Sequence, residues 1–177
     1  MRITFIICVA IILAGCGKGT TRIAEHKAEP ERTILPSWGN GSPSLALVLP
    51  KGFSHKVRKG IDFDVHEIRH PDDIGVLSIY VGCNPNRNAA ENAKKILKKF
   101  GSQPVEFEKQ KTDYGSFADA IIHDFFKDDS GPGVKDLMVH VLIHAKDEKF
   151  YDDVWPILES VAKAAQTGEQ VSAPNDR

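Results

Sequence analysis

Hydrophobic and polar positions change their period several times along the chain, and each change predicts an element. Residues 45–49 (Leu45-Ala46-Leu47-Val48-Leu49) form an apolar run closed by Pro50 and Gly52, the pattern of a short buried strand. Residues 61–66 alternate apolar and polar with period two, as a half-buried strand does. His70-Pro71-Asp72-Asp73 is a turn, and residues 75–83 then bring β-branched and aromatic side chains (Val76, Ile79, Tyr80, Val81), predicting a second strand antiparallel to the first. Asn84-Pro85-Asn86 ends it.

From Ala89 the period lengthens. Ala89, Ala93, Ile96, Leu97 and Phe100 fall at i, i+4, i+7, i+8 and i+11, which predicts a helix with Asn86 or Asn88 as N-cap and Gly101 just past its end. Lys94, Lys95, Lys98 and Lys99 then read as its solvated face, in the half where the helix dipole favours cations. Three further strands are expected: 105–109, alternating; 117–126, longer and mostly apolar; and 137–145, with Leu137, Val139, Val141, Ile143 and Ala145 on one face. Asp113-Tyr114-Gly115 and the loop 128–133 separate them. Val154, Ile157, Leu158, Val161, Ala162 and Ala165 predict a closing helix, and a start near Asp153 would place Pro156 in its first turn, where a missing N–H matters little.

The predicted order βββαβββα, with short turns between strands, gives an α+β domain: an antiparallel sheet of about six strands covered by two helices. The chain resembles the PsbP/Mog-like α/β/α sandwich, which includes DcrB-like bacterial lipoproteins. The resemblance is carried by Leu47-Val48-Leu49-Pro50-Lys51-Gly52-Phe53, by the element order, and by Val154-Trp155-Pro156-Ile157-Leu158-Glu159-Ser160-Val161. Members of that superfamily are mostly non-enzymatic accessory or binding proteins, which is the role the resemblance implies, while the fold by itself leaves function open.

The first residues change the picture most. Arg2 precedes an apolar run over 3–13, about half of the roughly 20 residues needed to cross a bilayer, so it reads as a secretory signal. Leu13-Ala14-Gly15-Cys16 resembles the lipobox of bacterial lipoproteins. That resemblance implies removal of residues 1–15 and attachment of a diacylglycerol to the Cys16 sulfur. Two or more acyl chains anchor a protein stably. By analogy with enteric sorting, Gly17 after the cysteine favours the outer membrane, facing the periplasm, over the inner membrane. Residues 16–43 hold Pro30, Pro36 and Pro43 and few large apolar groups, the composition of a flexible tether. Ile34, Leu35 and Trp38 are its apolar exceptions, placed to dock on the domain. A single domain over 44–166 and a polar, disordered tail over 167–177 complete the organisation.

Composition adds mainly exclusions. With a net charge of −1 and no strongly basic face, nothing in the composition points to a nucleic-acid partner. Of the three cysteines, Cys8 leaves with the signal and Cys16 carries lipid, so Cys83 has no disulfide partner within the chain and is expected as a buried small hydrophobe. No Gly-x-Ser-x-Gly, His-Glu-x-x-His, phosphate-loop or Cys-x-x-Cys motif is present, and no cofactor is implied. His66/His70 and His140/His144 are spaced i, i+4, but on strands that spacing spans about 13 Å and neither pair can chelate alone. A metal site would need His140 to meet His66 or His123 across the sheet, with Asp62 or Asp64 as a further ligand. Asp128-Asp129 and Asp152-Asp153 lack the ligand density of an EF-hand loop and read as capping and solvation.

The sequence thus predicts a non-catalytic envelope lipoprotein whose domain binds a protein or envelope component, through a sheet edge or the 128–133 loop. An immunity-type lipoprotein that neutralises a delivered toxin is the sharper variant. A metal-dependent enzyme or factor using the sheet-face histidines is the alternative from another class.

Overall fold

A computed structural model of the chain describes residues 31–35, 44–60, 63–83, 85, 92–127, 129 and 136–164. In chain order the elements are β1 (Thr33–Leu35), β2 (Leu45–Leu47), β3 (Ser54–Lys59), β4 (Phe63–Arg69), β5 (Gly75–Gly82), β6 (Lys94–Phe100), β7 (Gln103–Thr112), β8 (Gly115–Ile122), β9 (Met138–Ala145), α1 (Phe150–Glu159) and β10 (Ala162–Lys163). Two antiparallel meanders, β3–β5 and β6–β9, lie side by side and join where β5 pairs with β9. The resulting sheet has seven strands in the order β3-β4-β5-β9-β8-β7-β6. A small sheet, β1-β2-β10, ties the start of the described chain to the segment after α1.

The α+β class and the antiparallel sheet agree with the sequence pattern, but the element count does not. Seven strands form the main sheet rather than six, and one helix is present among the described residues rather than two. The predicted helix beginning at Ala89 is corrected over residues 94–100, which form the edge strand β6; residues 86–91 lie outside the described residues. Its apolar stripe fits either geometry, and tertiary pairing decides. Gly101 and Ser102 form a two-residue hairpin loop, Phe100 pairs with Gln103, and Gly101 takes the positive φ of 60° that such loops demand. β3 was not anticipated, because its outer position leaves only His55 and Val57 half-buried in an otherwise exposed SHKVRK segment.

One face of the sheet carries the core. Ile68, Leu77, Ile79, Val141 and Ile143 are fully buried at alternate positions, as strand periodicity requires. They pack with α1, whose Phe150, Tyr151, Val154, Ile157 and Leu158 are buried, and with Leu35, Leu45 and Leu47 of the small sheet. Gly75 lets the helix approach β5, since a Cβ there would lie 2.1 Å from the Phe150 ring. At its other end α1 is held to the β6–β7 hairpin, where the Gly101 N–H donates to the Leu158 carbonyl at 2.8 Å and Trp155 meets Phe107 edge-on at 5.2 Å.

The helix starts at Phe150, earlier than the predicted Asp153, which places Pro156 inside it. An interior proline disfavours a helix by about 3 kcal/mol, but burying Phe150 and Tyr151 contributes about 1.5–3 kcal/mol each. Pro156 lies on the exposed side, where water reaches the carbonyl its ring leaves without a donor. The helix also ends earlier than its stripe suggests: the Ser160 hydroxyl donates to the Ile157 carbonyl at 2.6 Å and accepts from the Val48 N–H at 2.8 Å, and Ala162–Lys163 leave as β10.

Candidate functional site

The histidines nominated from sequence do not converge. His66 points to the core face of β4, opposite Ile79 in the register, and is buried. His140 lies on the other face of β9, its Nε2 3.5 Å from Asp119 Oδ2. His123 is exposed just beyond β8. One strand, β5, and the thickness of the sheet therefore separate His66 from His140, and no group of three or more potential metal ligands forms among the described residues. Of their proposed carboxylate partners, Asp62 lies outside the described residues and Asp64 is buried on the core face. Cys16, the 1–15 signal segment, the 167–177 tail, Trp38 and most of the 128–133 loop also lie outside them; Asp129 of that loop pairs with Lys163 at 2.7 Å. Cys83 is half-buried against the core. Asp153 sits in the first turn of α1, 3.4 Å from His70 Nε2.

What the fold does bring to His66 is His55, from the unanticipated strand β3. His55 Nε2 lies 3.1 Å from His66 Nδ1 and the rings stack at 5.3 Å, so one imidazole donates and the other accepts. Burial, then the neighbouring His55, pushes His66 down to about 4; burial lowers His55 too. Asp64, two residues along the same face, has neither carboxylate oxygen hydrogen-bonded among the described residues. Burial raises its pKa, opposed by Lys59 directly across on β3. These groups stabilise or strain the β3–β4 edge. His66 and Asp64 are buried and His55 is half-buried.

The opposite edge of the sheet is different. Strand alternation puts Lys94, Ile96 and Lys98 of β6 on one face, with Lys109 and Lys111 of β7 on that same face, since Lys94 pairs with Lys109. This is the helix-covered side, where α1 contributes Trp155. The result is a groove of about 520 Å³ lined by those five residues together with Asn92, Gln110, Glu148 and Trp155. Trp155 is its one aromatic lining residue and is backed by buried rings: Tyr151 stacks on it at 5.4 Å, and Phe107 meets it edge-on. Lys98 Nζ lies 5.0 Å from the Trp155 ring centroid and Lys109 Nζ 3.8 Å from that of Tyr151, so both cations rest on ring faces.

Four lysines line this groove against one carboxylate, Glu148, whose Oε2 is 2.5 Å from Lys109 Nζ. The hydrogen bond from Lys109, with further help from Ser116, holds the Glu148 carboxyl below its ordinary value. Lys94 faces Lys109 directly across the strand pair, an arrangement of like charges that works against pairing. The groove offers a cationic rim over an apolar floor. It is built to hold an anion with an apolar body. Sequence reading missed it because the lysines of 94–99 were assigned to a helix, where they would face away from β7. The signal available was the Gly101-Ser102 pair ahead of the alternating segment from Val105, a hairpin mark that would have placed 94–100 against 103–112.

The chain matches no family model, and no match to it is found among curated proteins or solved structures.

Proposed function

We propose that the chain is a lipid-anchored protein of the bacterial envelope whose domain binds an anionic partner and performs no reaction on it. The observation that carries the binding role is the groove: Lys94, Lys98, Lys109 and Lys111 around Trp155, balanced by Glu148 alone. Electrostatic complementarity of this kind accelerates encounter and excludes like-charged competitors. Anchoring is supported by Leu13-Ala14-Gly15-Cys16, and Gly17 supports an outer-membrane location facing the periplasm. Kinship with the PsbP/Mog-like domains belongs to the same proposal and rests on segments 47–53 and 154–161.

Two measurements on the whole protein test it. Metabolic labelling with a fatty-acid analogue should mark the wild type and fail in Cys16→Ser, which should also leave the membrane fraction; an unlabelled wild type would overturn the anchor. A photo-crosslinking side chain at Ile96 should capture one acidic partner, while one at Arg58, on the far edge of the sheet, should not. Equal adducts from both positions would overturn the groove.

A further inference from the structure

We propose that the groove is one half of a strand-pairing site, and that its occupant is an extended acidic segment of a protein partner added edge-on to β6. The inference rests on the anion-binding reading above and narrows it to one kind of ligand.

Among the described residues β6 is the last strand of the sheet, bonded to β7 on one side and to no strand on the other. Alternate residues of an edge strand turn their N–H and C=O groups outward, a ready template for another strand. The edge reads Lys94-Lys95-Ile96-Leu97-Lys98-Lys99, with the same charge pattern in both directions. Antiparallel pairing with a second copy, centred between Ile96 and Leu97, would set Lys94 against Lys99 and Lys95 against Lys98. The edge therefore repels itself. It accepts the complementary pattern: two acidic residues, two apolar, two acidic.

Each side of such a strand has a place to go. Side chains directed to the helix-covered face enter the groove, where carboxylates meet Lys94, Lys98 and Lys111 and an apolar residue meets Ile96 and Trp155. Those directed to the other face meet Leu97, which is 72% exposed, and the Lys95–Glu106 ion pair. A carboxylate beside Lys94 would also relieve its opposition to Lys109. Concavity favours a strand over a membrane surface, because Lys98 and Lys109 are half-buried against aromatic rings rather than spread on a plane.

The test uses the full chain in detergent micelles and a fluorescein-labelled peptide of two glutamates, two valines and two glutamates, followed by anisotropy. Binding should weaken about tenfold in Lys98→Glu, which reverses one contacting charge. It should weaken by at least about tenfold when alternate peptide amides are N-methylated, which removes strand hydrogen bonds while leaving every charge. Equal binding of the methylated peptide overturns strand addition and leaves a plain anion site. Unchanged binding to Lys98→Glu overturns the location. Preference for phosphatidylglycerol vesicles over the peptide overturns the partner class. Failure of the peptide and of polyglutamate alike overturns both this inference and the anion-binding reading. Should Lys98→Glu unfold, judged by circular dichroism, the methylated peptide decides on the unaltered protein.

Discussion

Acidification should weaken the domain through His66, and the size of the effect follows from its surroundings. The ring is 1% exposed and hydrogen-bonded to His55, and its folded pKa is about 4 against 6.5 for the ordinary side chain. The unfolded chain therefore binds a proton that the folded chain refuses throughout that window. By linkage, stability is fully present above about pH 6.5 and falls as the pH drops towards 4, where the loss levels off. At about 1.4 kcal/mol for each tenfold difference in proton affinity, the penalty approaches about 3 kcal/mol. That is a large share of the 5–15 kcal/mol typical of a domain. Urea unfolding of wild type and His66→Leu, followed at several pH values between about 7 and 4, isolates this contribution, because leucine keeps the site filled and cannot titrate. The wild-type curve should fall more steeply than the variant's, with most of the difference accruing between pH 6.5 and 4. Parallel curves across that window would refute the reasoning.

Other expectations concern neighbouring features. Asp64→Asn should stabilise the protein at about pH 7, because burial raises the Asp64 pKa and disfavours its ionised form; the gain should fade as pH falls towards the ordinary value of 3.8, and urea unfolding at the two extremes checks it. Gly75→Ala should destabilise by about 1–3 kcal/mol, since its methyl would overlap the Phe150 ring, and Phe150→Leu in the same chain should recover part of that loss in a thermal-melting cycle. Lys94→Glu should stabilise by about 0.5 kcal/mol at low salt by turning a repulsion with Lys109 into an attraction, and the gain should shrink in molar salt.

Strands buried on one face were legible because their side chains alternate against a core. β5, β7, β8 and β9 all show this, and all lie inside the sheet. Edge strands were not. β3 offers the core only His55 and Val57, and β6 carries four lysines among seven residues, so neither sequence marks a buried face strongly. The end of α1 was illegible for another reason. Val161 and Ala162 continue its apolar spacing, yet Ser160 bonds to Val48, more than a hundred residues earlier, and the chain leaves the helix to pair with β2. Contacts of that range override local periodicity without leaving a local sign.

The same physics explains why the histidines stay apart while the lysines come together. Which face a strand residue occupies depends on parity within its own strand and on the register that carries parity to the next. His66 pairs with Ile79, and Ile79 pairs with Val141, which puts His140 on the far side of the sheet. One residue of slip would have reversed that result, and nothing in a single sequence fixes it. The lysines needed less information. A two-residue loop at Gly101-Ser102 sets the register of β6 on β7 locally, so the hairpin alone places Lys94 against Lys109 and Lys98 against Val105. Like charges held face to face at an edge that no other described strand covers oppose the fold that contains them. The opposition is explained if the edge is kept for a ligand of the other sign, and the same lysines guard it meanwhile against pairing with a copy of itself.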